Sequence, residues 1–275
     1  NSQGVQLLEK MVQEYGPIFN IGQIYSSAEN QQFPEDTQLS SRQIQKLISK
    51  LASAGWIEII KRGTYIVKSP LYAGEIHPYA IAAALVQPMA ISHWSALAYH
   101  GFTTQSPVMI QASTPHKVVT PEMRLGKAYN PRGRAAWRAF DLEFEFIYTK
   151  KESFWGFQRI WVSSWQQVNI TDPERTALDL ITRPDIFGGI SSASEILEAC
   201  ISQINVDRLV SYALRYNVGT VIKRLGWLLE KMGVSSETLN SLQNHPVRGY
   251  TLLDPTQPKS SKLNPYWQIN ENLRT

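Results

Sequence analysis

LSSRQIQKLISKLASAGWIEIIKRGTYIV, residues Leu39 to Val67, opens with an unusually complete helix start. Ser40 followed three residues later by Gln43 forms a capping box, and Leu39 and Ile44 hold the positions of a hydrophobic staple. The helix is therefore predicted to begin at Ser41. Ile44, Leu47, Ile48 and Leu51 fall at i, i+3, i+4 and i+7, one apolar stripe, and Gly55 stops the helix at C′. The opposite face carries Arg42, Lys46, Ser49 and Ser53, flanked by Gln43, Gln45 and Lys50, and no carboxylate. Nothing on it repels phosphate. WIEII and TYIV then read as two strands of a hairpin around Lys61-Arg62-Gly63, whose glycine tolerates positive φ.

A basic-faced helix followed by a basic-tipped hairpin is the pattern of a winged helix-turn-helix. In that arrangement Ser41, Arg42, Gln43, Gln45, Lys46, Ser49 and Lys50 face the major groove of double-stranded DNA. Lys61 and Arg62 on the wing reach flanking phosphate or the minor groove. Exposed helix faces are ordinarily polar, and winged helices also serve as protein-interaction modules. Five cations against Glu58 alone between Leu39 and Val67 favour the nucleic-acid reading.

At 275 residues the chain is too long for one winged helix of about 70 and predicts two domains, each with its own core. With 43% hydrophobic and 18% charged residues it is not a disordered chain. A net charge of +4 and a pI near 9.0 agree with a polyanionic partner but do not establish one. Cys200 is the only cysteine, which excludes an intramolecular disulfide and a cysteine-based structural zinc site. With no signal peptide and no apolar run near 18 residues, the expectation is a cytoplasmic protein with no membrane partner.

Along the chain, Gln3 to Tyr15 reads as a first helix ended by Gly16-Pro17. Asn20 caps a second through about Ala28, and the polar stretch around Phe33-Pro34-Glu35-Asp36 is a long turn before the basic helix. Ser69 to Pro78 reads as a connector. Pro78 to Leu85 is a short helix, and Ser92 and Gly101 bound another. The latter holds Ser92, Ser95, His93 and His100, yet no G-x-S-x-G elbow surrounds a serine and no acid stands ready to orient an imidazole. VMIQA, FEFIYT, RIWV and QVNI are short extended runs that predict a sheet. Between the first two lies a second candidate basic patch of Lys117, Arg124, Lys127, Arg132, Arg134 and Arg138, opposed before Asp141 only by Glu122. It reads as a solvated loop, as a further nucleic-acid contact or as a docking patch, and Asn130-Pro131-Arg132-Gly133 suggests an exposed tip. Asp172-Pro173-Glu174 starts a helix, and four more follow at about Ser192 to Gln203, Asn205 to Tyr216, Thr220 to Met232 and from Ser236. Cys200 within an apolar stripe reads as a small buried hydrophobe. Tyr250 to Leu253 is a final strand.

The order of three segments resembles one family. HWSALAYHGFT, with Ser95, Ala96, Leu97, His100, Gly101 and Thr103, is similar to the S-A-L-x-x-H-G-L-T segment of AbiEi-type antitoxins of bacterial type IV toxin–antitoxin systems, with Phe102 in place of Leu. Asp172 to Leu180 resembles the family's D-x-x-R-T-x-x-D segment, and Arg224 to Glu230 its R-x-G-x-L-L-E. The resemblance implies an N-terminal winged domain that represses its own operon by binding operator DNA. It also implies a C-terminal domain that counters a cognate nucleotidyltransferase-like toxin, without requiring a stable complex.

The residues themselves suggest framework roles: Arg175 and Asp179 pair at i, i+4, Arg224 and Glu230 flank an apolar turn, and Gly226 allows close packing. No catalytic, metal or cofactor residues are assigned. No G-x-x-x-x-G-K, G-x-G-x-x-G or H-E-x-x-H occurs. The expected architecture is α+β: a winged helix-turn-helix domain over residues 1–70, then a larger α+β domain over 78–275 with a small sheet and several C-terminal helices. A ligand-responsive repressor unrelated to a toxin and a nucleic-acid-modifying enzyme are the rival readings. The mark of the former would be a concave apolar pocket with a few polar groups.

Overall fold

The structure, a computed structural model, describes residues 3–29, 39–68, 74–128 and 131–273. The expected long turn at Phe33 to Asp36, part of the connector, and Asn130 lie outside them.

The N-terminal unit runs α1 (Gln3–Tyr15), β1 (Ile18–Asn20), α2 (Ile21–Glu29), α3 (Ser41–Ser53), β2 (Ile57–Lys61) and β3 (Thr64–Val67). The strands form an antiparallel sheet in the order β1-β3-β2. β1 was not legible in the sequence because three residues carry no periodicity. Its last residue, Asn20, is also the cap of α2, accepting from the amide of Gln23 while its own amide donates to the Gln23 side chain. Strand alternation sends the two faces of this small sheet to different cores. Phe19, Ile57, Tyr65 and Val67 pack with α1 to α3, whereas Ile60 and Ile66 join the core of the next unit.

The larger unit continues with α4 (Pro78–Leu85), β4 (Ala90–Ile91), α5 (His93–Tyr99), β5 (Ile110–Thr114), α6 (Pro121–Arg124), β6 (Arg134–Ala139), β7 (Leu142–Tyr148), β8 (Phe157–Trp161) and β9 (Gln167–Thr171). It ends with α7 (Pro173–Thr182), α8 (Ile190–Cys200), α9 (Val206–Tyr216), α10 (Gly219–Lys231), α11 (Ser236–Gln243), β10 (Thr251–Leu252), β11 (Leu263–Asn264) and β12 (Ile269–Asn270). The architecture is α+β, as read from the sequence.

The sheet is larger than the expected small one: six strands in the order β6-β7-β5-β4-β9-β8, with β5 parallel to β7 and β4 parallel to β9. The extra strands are β4, too short to show alternation, and β6, whose arginines disguised it as a loop. One core lies between this sheet, α4 and the N-terminal sheet. The other gathers α5 and α7 to α11 around α7, which is buried from Glu174 to Ile181. α8 begins two residues earlier than predicted, at Ile190, whose amide donates to the Asp254 carboxylate. No described helix is long and apolar enough to cross a membrane.

Candidate nucleic-acid interface

α3 begins where its capping box places it. Ser40 accepts from the Gln43 amide, the Gln43 side chain accepts from the Ser40 amide, and Gly55 takes a φ of +73° just past the helix. Ile44, Ile48 and Leu51 are buried against the helical core. Fixing that stripe fixes the other side: Ser41, Arg42, Gln43, Gln45, Lys46, Ser49 and Lys50 are all exposed. They form one continuous polar face with three cations and no acid.

The hairpin turn is tighter than the three residues expected. Lys61 pairs with Thr64, leaving Arg62-Gly63 as the turn, with Gly63 at φ +75° and its carbonyl accepting from the Ile21 amide. The hairpin's one carboxylate, Glu58, is itself paired with Lys68 at 3.3 Å. Lys61 departs from the expected wing tip. It is partly buried, its ammonium donates to the Leu85 carbonyl at the end of α4 at 3.0 Å, and desolvation lowers its pKa. A register shift between Ile59 and Lys61 accompanies this turn toward α4. Arg62 is exposed and is the wing cation that faces solvent.

The six cations of the second patch do not form one cluster. Arg134 lies in β6 and makes a two-pronged pair with the buried Glu145 at 2.8 and 3.1 Å, a pair completed by Gln111. Arg138 sits opposite Glu143 in the β6–β7 register, and Arg132 approaches Asp185 at 3.9 Å. Strand pairing, invisible in a one-dimensional charge count, supplies these acids from elsewhere in the chain. Lys117, Arg124 and Lys127 remain as an exposed group around α6. Arg124 shares with Arg62 a groove of about 500 Å³ between the hairpin and the larger unit, lined also by His116, Val119 and Trp137.

Among the residues expected to be framework, Arg175 pairs with Asp179 at 3.0 Å, both about 97% buried, and donates to the carbonyls of Ser153 and Trp155. Arg224 donates to the carbonyls of Leu253, Ile181 and Leu252, and burial lowers its pKa to about 10. Glu230 accepts from the Trp267 indole, and Gly226 lies under that ring. His100 donates to the Thr171 carbonyl at 2.7 Å. Cys200 is buried and its thiol is pushed up to about 11 by desolvation. Ser92 precedes α5 as expected but does not cap it; its hydroxyl instead meets His93 Nδ1 at 2.7 Å. His93 and Asp179 line one cavity, which the sequence did not reveal because the two residues stand far apart in the chain and neither belongs to a catalytic motif.

The molecule is thus an α+β protein with a cationic helix face on α3 and a buried polar framework organised on α7. The chain belongs to the AbiEi antitoxin family: the family model described as AbiEi antitoxin C-terminal domain matches residues 89–231, just over half of its length. Its role is that of an antitoxin in a toxin–antitoxin system, with a toxin as functional counterpart. Among solved structures, the RV2827C protein from Mycobacterium tuberculosis is similar in fold, with a TM-score of 0.61 and 15% identity over 98% of this chain and 91% of that one. No curated protein matches the chain.

Proposed function

We propose that this antitoxin is also a DNA-binding repressor of its own operon. The N-terminal unit acts as a winged helix-turn-helix, with α3 in the major groove and the β2–β3 hairpin as wing. The larger part counters a nucleotidyltransferase-like toxin without requiring a stable complex, as in type IV systems. The observation that carries the DNA reading is the acid-free exposed face of α3. Arg42 and the nearby glutamines stand at the helix N-terminal half, where side chains reach base edges, and Lys46 and Lys50 extend toward phosphate. The element order and the β1-β3-β2 sheet support the winged-helix reading. The groove shared by Arg62 and Arg124 extends the basic surface onto the larger unit, so Lys117, Arg124 and Lys127 supply further phosphate contacts.

The test uses the full chain. Arg42→Ala combined with Lys46→Ala should abolish specific binding to DNA upstream of the operon while leaving the melting temperature nearly unchanged, because both side chains are exposed. The same variant should still rescue growth of cells expressing the neighbouring open reading frame. Retained specific binding would refute the α3 assignment, and a neighbour harmless to growth would refute the toxin assignment.

A further inference from the structure

Independent of the proposed interface, the larger unit holds a cavity of about 610 Å³, within the range of small-molecule sites. Its lining comes from the start of α5, β7, the loop after it, the end of α7 and the C-terminal end of α9, and includes His93, Asp179, Lys150, Arg183, Arg215 and Tyr216. Two of these residues are fully buried and incompletely bonded. His93 and Asp179 are each 2% exposed, and His93 Nε2 and Asp179 Oδ2 have no hydrogen-bond partner among the described residues. Buried polar atoms are nearly always satisfied, so two orphans lining one cavity call for a common explanation.

Their chemistry is set by their other contacts. Ser113 Oγ donates to Ser92 Oγ at 2.9 Å, and Ser92 in turn meets His93 Nδ1. Having accepted from Ser113, the Ser92 hydroxyl keeps its own hydrogen to offer Nδ1, and in that arrangement the imidazole proton sits on Nε2, which is then a donor. Asp179 Oδ1 is taken by Arg175, which leaves Oδ2 as an acceptor. The backbone holds His93 at φ +53°, a conformation that non-glycine residues seldom adopt, with its ring stacked on Phe187 at 5.8 Å. At the mouth, the exposed Lys150 and Arg215 outnumber Glu152 and bias the entrance toward an anion, whereas Arg183 is spent on a two-pronged pair with Asp185 at 2.9 and 3.0 Å.

We propose that this cavity binds a small metabolite with an anionic group at one end, whose far end presents adjacent hydrogen-bond acceptor and donor groups to His93 and Asp179. A carboxamide amino acid and a pyrimidine nucleoside monophosphate both carry that combination. The antitoxin part is then a ligand-responsive element.

Thermal denaturation of the full chain with L-glutamine or uridine monophosphate, each at millimolar concentration, tests the assignment and distinguishes the two sources. A ligand at about 100 times its Kd raises the melting temperature by about 5–10 °C. Uridine, which lacks the anion, should bind at least about tenfold more weakly than its monophosphate, and Lys150→Ala with Arg215→Ala should erase the difference between them. His93→Gln should weaken binding of either probe. The exposed rim variant keeps the test decisive even where the buried variant folds poorly. No shift from either probe, or an equal shift in wild type and rim variant, would overturn the proposal and leave a cavity filled by water.

Discussion

Gly226 is the position where adding a single carbon should be felt most. A Cβ built there would stand 2.8 Å from Trp267 Cε3 and closer still to Cζ3 and Cη2, distances that real contacts do not show. The indole cannot simply slide away. It is fully buried, its Nε1 donates to Glu230 at 2.9 Å and its backbone amide donates to Asn264 at 3.0 Å. Overpacking of this kind costs about 1–3 kcal/mol, and outright expulsion of a buried tryptophan about 3–5 kcal/mol. With three ring atoms inside contact distance, Gly226→Ala should cost about 3 kcal/mol. In a unit of about 200 residues that lowers the melting temperature by about 6–12 °C. Differential scanning calorimetry and urea titration followed by tryptophan fluorescence both report it. Combining Gly226→Ala with Trp267→Leu should cost less than the sum of the two single changes, because the smaller side chain leaves room for the methyl group. A loss below about 2 °C for Gly226→Ala, or simple additivity in the pair, would refute the reasoning.

Two further outcomes follow from the wing and from the cavity floor. Arg62→Ala should reduce the slope of log K against log salt for DNA binding by about 0.9, whereas Lys61→Ala should leave it unchanged, since that ammonium is spent on the Leu85 carbonyl; equal effects in a filter-binding titration would refute the distinction. Burial holds His93 neutral in the folded chain, with its pKa pushed from 6.5 down to about 4. The unfolded chain takes up that proton first, so stability present above pH 6.5 should fall by on the order of 3 kcal/mol as the pH drops to 4. His93→Gln should remove that part of the decline in urea titrations at pH 7 and pH 4, and an unaltered pH dependence would show that another group drives it.

The helices were the most legible part of the chain because their signals are local. Ser40 with Gln43, Asn20 and Asp172 each lie within three residues of the amide they cap, and all three act as read. The short strands were not legible, since β1 and β4 exist only through the strands they pair with. The same divide runs through the candidate interface. The exposed face of α3 follows from its own buried stripe, so sequence alone placed Arg42 and Lys46. Whether a cation is free depends on residues far away: Lys61 meets α4, and Arg134 meets Glu145 across two strands. The cavity floor was the least legible of all. His93 and Asp179 are 86 positions apart, and what distinguishes them is a missing hydrogen bond, a property that exists only in three dimensions.

The sheet of the N-terminal unit, apolar on both sides, changes what the connector after Lys68 means. In the chain that connector looks like a place to cut, but Ile60 and Ile66 complete a core whose other walls are α4 and the central sheet. Separating the parts at that point would bare these isoleucines on one fragment and Ile81, Val86 and Met89 on the other. Each half would carry a sticky scar, and its insolubility could be mistaken for lost function. The intact linkage braces the hairpin from behind, so that in the proposed DNA complex α3 and Arg62 would be presented together with the α6 cations.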